Sequence, residues 1–253
     1  NNRCGKSFKF TIITVAYNEE RGIKETVRIV LKQDYRDFEY LIIDGNSSDK
    51  TVEIVTNLIK KSDKDVKLFS EPDLGIYNAM NKGIQKASGD FVIFINAGDQ
   101  LYDSFVLKKL SRFINQKVNR IYYGKIYRVH CSRGIDRVKD FSKITLNPLH
   151  GFLNREMPCH QGIIAPVDSL KKFLFNEEYN FCADFDWLLR CYKAGYKLVN
   201  TDCMICKYDN TGLTSRRKNK KQMNKESDKI LEKNFPVTYR VLHMVKILKE
   251  IFS

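Results

Sequence analysis

Residues 73–99 read DLGIYNAMNKGIQKASGDFVIFINAGD, and their pattern decides the fold. Ile76, Met80, Ile84 and Ala87 recur at helical spacing and place one apolar stripe on the inner face of a helix. Ser88-Gly89 ends that helix, because glycine takes a left-handed cap most readily. Phe91 to Ile95 follow without a polar residue among them. A strand with no polar face is buried on both sides, as in a mostly parallel sheet covered by helices. It closes in Asn96-Ala97-Gly98-Asp99, a small turn that carries a carboxylate just past the strand. Ligands of open α/β sheets bind beyond the carboxyl ends of the strands. Asp99 therefore stands where a cation or a polar substrate would sit.

The stretches before it repeat the same unit. Phe8 to Val15 reads as a first strand, turning at Ala16-Tyr17-Asn18, with Asn18 suited to cap a helix opened by Glu19-Glu20. Ile23, Val27 and Leu31 give that helix its inner face, and Asp34 to Asp37 breaks it. Tyr40 to Ile43 forms a second buried strand ending at Asp44. Gly45 to Asp49 then turns into a helix with Val52, Val55 and Ile59 inward, and Val66 to Phe69 is a short third strand. Strand and helix alternate three times before the strand that ends at Asn96. This alternation means a parallel sheet with right-handed crossovers. Three strands end in polar turns, Tyr17-Asn18, Asp44-Gly45 and Asn96 to Asp99, and the crossovers bring these turns to one sheet edge. Each alone is explained by helix capping; together, with two carboxylates at strand ends, they favour a nucleotide site.

The 253 residues suit one large α/β domain or one and a half. An apolar content of 43% argues against disorder. No apolar run approaches the roughly 18 residues that span a bilayer, and none reads as a signal peptide. The seven cysteines are scattered without a disulfide rhythm, which favours a reducing cytoplasm. Cys203 and Cys206 form a lone C-x-x-C with no second pair, so an ordinary strand or loop position is favoured over zinc. The net charge of +14 is unevenly spread. Residues 1–100 hold 15 basic and 15 acidic residues, which leaves 29 of the 44 basic and 15 of the 30 acidic residues for the remainder. An acidic partner would meet the second half. Two tempting signals fail: Gly5-Lys6-Ser7 precedes the first strand instead of following it, and no G-x-G-x-x-G comes after that strand.

The Y-N turn after the first strand, IIDGNSSDKT at 42–51, DLGIYNAMNKGI at 73–84 and FINAGD at 94–99 together resemble family 2 glycosyltransferases of the Rossmann-like GT-A fold. The resemblance resumes at Ala183-Asp184-Phe185-Asp186-Trp187-Leu188-Leu189-Arg190, similar to the family's E-D-x-D-x-x-x-R segment. It implies an inverting hexosyl transfer from a nucleotide-sugar, a UDP-sugar ahead of a GDP-sugar, to a hydroxyl of a glycan or lipid-linked acceptor, assisted by Mg²⁺ or Mn²⁺. Carried over, Val15, Tyr17 and Asn18 line the nucleotide pocket, Asp44 reaches the base or ribose, and Asp73 with Gly75 borders the same pocket. Asp99 takes the metal-binding place of the D-x-D motif, Asp184 that of the general base, and His160-Gln161 an acceptor or diphosphate contact. The sequence departs from the family at three places. Gly45 stands where a second acid is frequent, Ala97 or Gly98 replaces the first acid of D-x-D, and Ala183 replaces the glutamate before Asp184.

These residue types suit that chemistry. Cleaving a sugar–diphosphate bond releases a charged leaving group, which a hard divalent cation stabilises. Mg²⁺ typically keeps several waters beside one or two carboxylates, so Asp99 alone can serve. A carboxylate within reach of the acceptor hydroxyl takes its proton, contributing about 10²–10⁴ in rate. Asp184 has a plainer reading as N-cap of a helix over 185–194 that Gly195 stops. Asp186 and Arg190, four apart, are either acceptor or diphosphate contacts or a surface ion pair. His160 reads equally as structural.

Expected organisation is a glycosyltransferase domain over 1–213, with a donor half at 8–103 and an acceptor half at 104–213, then a basic helical extension over 214–253. In the acceptor half Arg120 to Val129 reads as a strand pair or one long strand, and Ile144 to Phe152 as loop. Arg216 to Lys221 is a basic run leading into a helix that reaches Lys233. A second helix from about Pro236 sets Val237, Val241, Met244, Val245, Leu248 and Phe252 on one face and Arg240, His243, Lys246 and Lys249 opposite. That pattern suits an anionic membrane surface, or equally a helix docked on the core. Taken with that pattern, the family resemblance implies a cytoplasmic enzyme of bacterial surface-polysaccharide synthesis, peripheral on the inner face of the plasma membrane. Two rivals lack their signatures. A sugar-phosphate nucleotidyltransferase would carry a glycine-rich, lysine-containing loop where Ala16-Tyr17-Asn18-Glu19 stands. A basic nucleic-acid-binding protein would interleave aromatics with its basic cluster, and residues 214–225 contain none.

Overall fold

Apolar runs that no polar residue interrupts become the centre of the sheet. The computed structural model describes residues 8–115, 119–129, 136–140, 157–209 and 219–241. Strands β1 (Phe10–Ala16) and β2 (Phe38–Asp44) are buried along their whole length, as is β4 (Phe91–Phe94). Strand β3 (Asp65–Ser70) lies at the edge and alternates in exposure. Helices α1 (Ile23–Leu31), α2 (Thr51–Ile59) and α3 (Ile76–Lys86) connect them. The four strands run parallel in the order β3-β2-β1-β4. The chain steps outward from β1 to β3 and then crosses back to β4. Right-handed crossovers in opposite directions put α1 and α2 on one face and α3 on the other. The strand order reverses between β1 and β4, which opens a crevice at their carboxyl ends.

Beyond β4 the sheet becomes mixed, a feature absent from the mostly parallel expectation. The remaining elements are β5 (Gln100–Leu101), α4 (Val106–Phe113), β6 (Arg120–Val129), β7 (Arg137–Lys139), a 3-10 turn His160–Gly162, β8 (Ile163–Pro166), α5 (Val167–Lys172), α6 (Ala183–Lys193), β9 (Lys197–Asp209) and α7 (Lys220–Asn234). Strand β8 pairs antiparallel with both β4 and β6, while β6 and β9 run parallel. Residues 120–129 thus form one long strand, not a pair. Its seam with β9 shifts register around Gly124, where a side chain would run into the Cys203 carbonyl. Cys203 and Cys206 lie within β9 as free thiols, the ordinary strand placement.

Several local expectations shift. On α3, Met80 and Ile84 are buried, but Ile76, in the first turn above the strand ends, is 37% exposed and Tyr77 turns inward instead. Helix α3 ends at Lys86, and Gly89 carries no left-handed φ. Glycine is needed there for close approach, since a Cβ would lie 2.7 Å from Thr11 Oγ1 and 2.8 Å from the Lys9 carbonyl oxygen. Helix α1 starts at Ile23, four residues later than an Asn18 cap would set it. Helix α6 starts at Ala183, so Asp184 lies in its first turn and is not its cap; Gly195, at φ +86°, follows the helix end.

Helix α7 joins the same core, with Ile230 and Leu231 buried. A further helix over 236–241 follows. Its Val237 and Val241 are exposed, while Tyr239 turns back and donates to Asp228 Oδ1 at 2.7 Å. Gly5-Lys6-Ser7, Ile144 to Phe152, Arg216 to Lys218 and the apolar positions from Met244 onward lie outside the described residues.

Candidate active site

On the donor side two turns are stapled together. Asn18 sits at φ +52°, which asparagine tolerates better than most residues. Its N–H donates to Ser47 Oγ at 2.8 Å, and its Oδ1 accepts the Ser48 N–H at 2.9 Å. Glu19 N–H reaches Thr51 Oγ1 and Glu20 N–H reaches Asp49 Oδ2. Asn18 thus joins the turn after β1 to the turn after β2. Val15 is buried at the end of β1, in register with Ile43. Asp44 is fully buried. Its carboxylate accepts the Ser47 N–H at 3.0 Å, the Ser47 hydroxyl, and the Ser70 hydroxyl at 2.6 Å. The contacts this structure gives Asp44 therefore organise the 45–48 turn.

Gly45, Tyr17 and Asp73 meet beside it. A Cβ on Gly45 would collide with the Asp73 carboxylate and lie 3.3 Å from the Tyr17 ring. Asp73 Oδ1 accepts the Gly75 N–H at 2.8 Å, and Gly75 takes φ +120°. The space that a side chain at position 45 would need is filled by Asp73, while Tyr17 stays 63% exposed at the rim.

The Asn96–Asp99 turn is pinned from α1. Gly98 takes φ +93° and lies so close to Gly22 that a Cβ there would come 2.9 Å from Gly98 Cα. Thr26 Oγ1 donates to the Asp99 carbonyl at 2.6 Å and accepts the Gly98 N–H at 3.1 Å. The Asp99 side chain is thereby aimed at residues 159–161, and Gln161 Nε2 donates to its Oδ2 at 2.8 Å. No group of three or more His, Cys, Asp or Glu side chains that could hold a metal occurs among the described residues. Asp99 offers a hard oxygen donor at the strand end with one oxygen already oriented. That fits a Mg²⁺ or Mn²⁺ ion taking its other ligands from a diphosphate and water, and does not fit an all-protein cage.

Asp184 is held from three sides. Its Oδ1 accepts the Phe185 N–H at 2.9 Å and the Tyr77 hydroxyl at 3.3 Å. Its Oδ2 lies 3.1 Å from His160 Nδ1, and His160 Nε2 lies 3.0 Å from Asn96 Nδ2. A neutral imidazole with its proton on Nδ1 satisfies both contacts. Burial, then the Asp184 charge, pushes the Tyr77 hydroxyl well above its usual range, so it remains a donor. Burial, then the same charge, pushes the Cys159 thiol up to about 12, which favours the neutral thiol near neutral pH. Phe94, Phe175 and Trp187 with His160 and Asp184 line a small, mostly apolar cavity of about 10 Å³.

The two acids are thus joined by neighbouring residues: Gln161 holds Asp99 and His160 holds Asp184. Asp186 and Arg190 have a different place. Asp186 is 2% exposed and Arg190 binds its Oδ2 at 2.7 Å and the Leu174 carbonyl at 2.8 Å. This is an internal brace of α6 with no hydrogen bond to either acid, neither a surface pair nor part of the cluster. Tyr77 and Asn96 were not singled out from the sequence, although both fall in the 73–99 stretch. Their inward placement at the strand ends is the signal that would have found them.

The profile of Glycosyl transferase family 2 matches residues 11–179, which span all these elements except α6, β9 and α7. The chain belongs to glycosyl transferase family 2. This glycosyltransferase is 27% identical over 190 residues to a PGL/p-HBAD biosynthesis glycosyltransferase of Mycobacterium tuberculosis, covering 72% of this chain and 69% of that one. It is 26% identical over 208 residues to the amylovoran biosynthesis glycosyltransferase AmsB of Erwinia amylovora, covering 77% and 67%. Among solved structures it resembles S. aureus TarS in complex with UDP-GlcNAc, with TM-score 0.66 and 23% identity over 79% of this chain and 58% of that one. It also resembles the Pyrobaculum calidifontis mannosyltransferase PcManGT in complex with GDP-Man and Mn²⁺, with TM-score 0.61 and 18% identity over 80% and 57%. The glycosyltransferase therefore has the GT-A fold and spans about three fifths of these structural neighbours.

Proposed function

We propose that this glycosyltransferase moves a hexosyl group, with inversion, from a nucleotide-sugar to a hydroxyl of a glycan or lipid-linked acceptor in polysaccharide biosynthesis. The observation that carries the reading is the bridge of adjacent residues, Gln161 on Asp99 and His160 on Asp184. Donor and acceptor carboxylates share one cleft at the β1/β4 switch point. The exposed Tyr17 ring with Asp73, Gly75, Asn18 and the Asp44-organised turn forms the donor wall, and Val15 closes its floor. The donor is read as a UDP-sugar, of the kind bound by the TarS neighbour, with a GDP-sugar, of the kind bound by PcManGT, as the alternative. Asp99 would hold Mg²⁺ or Mn²⁺, which when bound offsets charge on the departing diphosphate.

Asp184 takes the proton from the acceptor O–H. The acceptor oxygen bonds to the anomeric carbon as the bond to the diphosphate oxygen breaks, and the nucleoside diphosphate leaves. Tyr77, His160 and the Phe185 N–H fix the carboxylate for that step, and a single base suits a single displacement. The enzyme is placed in the cytoplasm, with the exposed Val237 and Val241 edge directed to an anionic membrane.

The test is transfer from a panel of UDP- and GDP-sugars with Mn²⁺, reading nucleotide release and the product anomer by NMR. The reading expects the anomer opposite to the donor's. A retained anomer, or no nucleotide release with any donor, would overturn it. The membrane placement is tested separately by flotation on anionic liposomes, where a chain ending at Phe235 should float less than the full chain and equal flotation would remove the C-terminal helix's role.

A further inference from the structure

The first turn of α6 carries Asp184, yet its own N-cap residue, Cys182, supplies no side-chain cap. Backbone N–H groups entering a helix have no partner within it. Here the N–H of the N-cap Cys182, together with the two amides before it, finds a partner on α7, more than forty residues later. Glu226 is 6% exposed, and its Oε2 accepts the N–H groups of Phe181 at 2.9 Å and Cys182 at 3.1 Å. Its Oε1 accepts the Asn180 N–H and Gln222 Nε2, each at 3.1 Å. One buried carboxylate therefore collects three consecutive amides, the last of them two residues before Asp184. Charge-assisted bonds of this kind are roughly twice as strong as neutral ones.

The two helices are clamped elsewhere as well. The Cys182 thiol lies 3.5 Å from both the Met223 carbonyl and Ser227 Oγ, and Lys193 Nζ at the far end of α6 reaches the Asn234 carbonyl at 3.3 Å. None of these contacts reaches the donor pocket, which is built from the loops after β1, β2 and β3.

We propose that Glu226 is a positioning residue for the chemical step: the carboxylate on α7 sets the entry of the chain into α6 and so the placement of Asp184. This rests on the reading of Asp184 as general base. A shift of about 1 Å in a reacting group costs on the order of a hundredfold in rate. Loosening the entry should therefore lower kcat while leaving the donor side untouched.

The experiment compares Glu226→Gln and Glu226→Ala in the full chain, with Asp184→Asn beside them. Expected is a kcat lower by about tenfold for the glutamine variant and up to about a hundredfold for alanine. Donor KM and the thermal shift by UDP with Mn²⁺ should stay within about twofold, and amides 180–182 should lose hydrogen-exchange protection. Wild-type kcat in Glu226→Gln with those amides deprotected would overturn the proposal, leaving a cap of structural value only. A parallel loss of donor binding and kcat would overturn it too. If the alanine variant does not fold, the near-isosteric glutamine decides. Full activity in Asp184→Asn would sink the base reading, whereas an inactive Asp184→Asn beside unaffected Glu226 variants would sink this inference alone.

Discussion

In the half of the molecule built by β1 to β4, each functional side chain sits within a few residues of its strand's end. In the half built by β6, β8, β9 and α6, each is held by a partner from elsewhere in the chain. Asp44 closes β2 and takes its hydrogen bonds from Ser47 and Ser70, while Asp99 follows β4 by five residues. Asp184 depends on Tyr77 from α3, His160 from the turn before β8 and, through the helix entry, Glu226 from α7. The parallel half sets its groups just past strand ends and then secures them, as Gln161 secures Asp99. Asp184 has no strand end behind it and is placed by assembled contacts. Binding can therefore be built on loops stapled to strands, while the base is exposed to any change in how the second half packs.

The sharpest way to break this contrast is to remove each acid. Asp184→Asn should lower turnover by about 10²–10⁴, and Asp99→Asn should abolish the divalent-ion dependence along with transfer. Both should keep the wild-type circular dichroism spectrum, and near wild-type turnover in either would dissolve its assigned role. A smaller effect is expected at the donor wall. Gly45→Ala pushes a methyl group against the Asp73 carboxylate, and overpacking of about 1–3 kcal/mol should raise donor KM roughly tenfold. Steady-state kinetics that showed kcat falling instead would mean position 45 acts on the chemical step.

The smallest effect concerns the scaffold of the parallel half. Burial works against the charge of Glu39, but hydrogen bonds from the Ser88 N–H, Thr11 and the Ser88 hydroxyl outweigh it and hold its carboxyl below the usual range. A carboxyl lowered in the folded state contributes stability that is present above its unfolded pKa and is lost as pH falls through the folded value. Glu39→Gln should cost about 1–3 kcal/mol at pH 7. The gap between variant and wild-type urea midpoints should narrow as the medium is acidified below pH 4. A gap that stayed constant with pH would show that the charge of Glu39 contributes nothing.

The same contrast explains what could be read from the chain directly. Unbroken apolar runs at Tyr40–Ile43 and Phe91–Ile95 placed the strands and so Asp44 and Asp99, because burial on both faces leaves no other arrangement. The errors in that half were local. Asn18 has the composition of a cap, but its positive φ turns its side chain to Ser48. Gly89 looks like a helix terminator and instead lets the chain pass close to Thr11. Asp184 was found through its motif, since the first turn of a short helix carries no periodic signal of its own. Asp186 and Arg190 share the spacing of a surface pair, and only the burial of Asp186 and the Arg190 bond to the Leu174 carbonyl show them to be a brace. Glu226 had no local signature at all, because its partners are backbone amides in a segment more than forty residues away.

Nucleotide binding separates the two acids more directly than turnover does. Titration of UDP with Mn²⁺ into Asp184→Asn should give wild-type affinity in a protein that does not transfer, and the same titration into Asp99→Asn should lose the Mn²⁺-dependent part of the binding. Weakened binding in Asp184→Asn together with intact Mn²⁺-dependent binding in Asp99→Asn would contradict the division of labour on which the account stands.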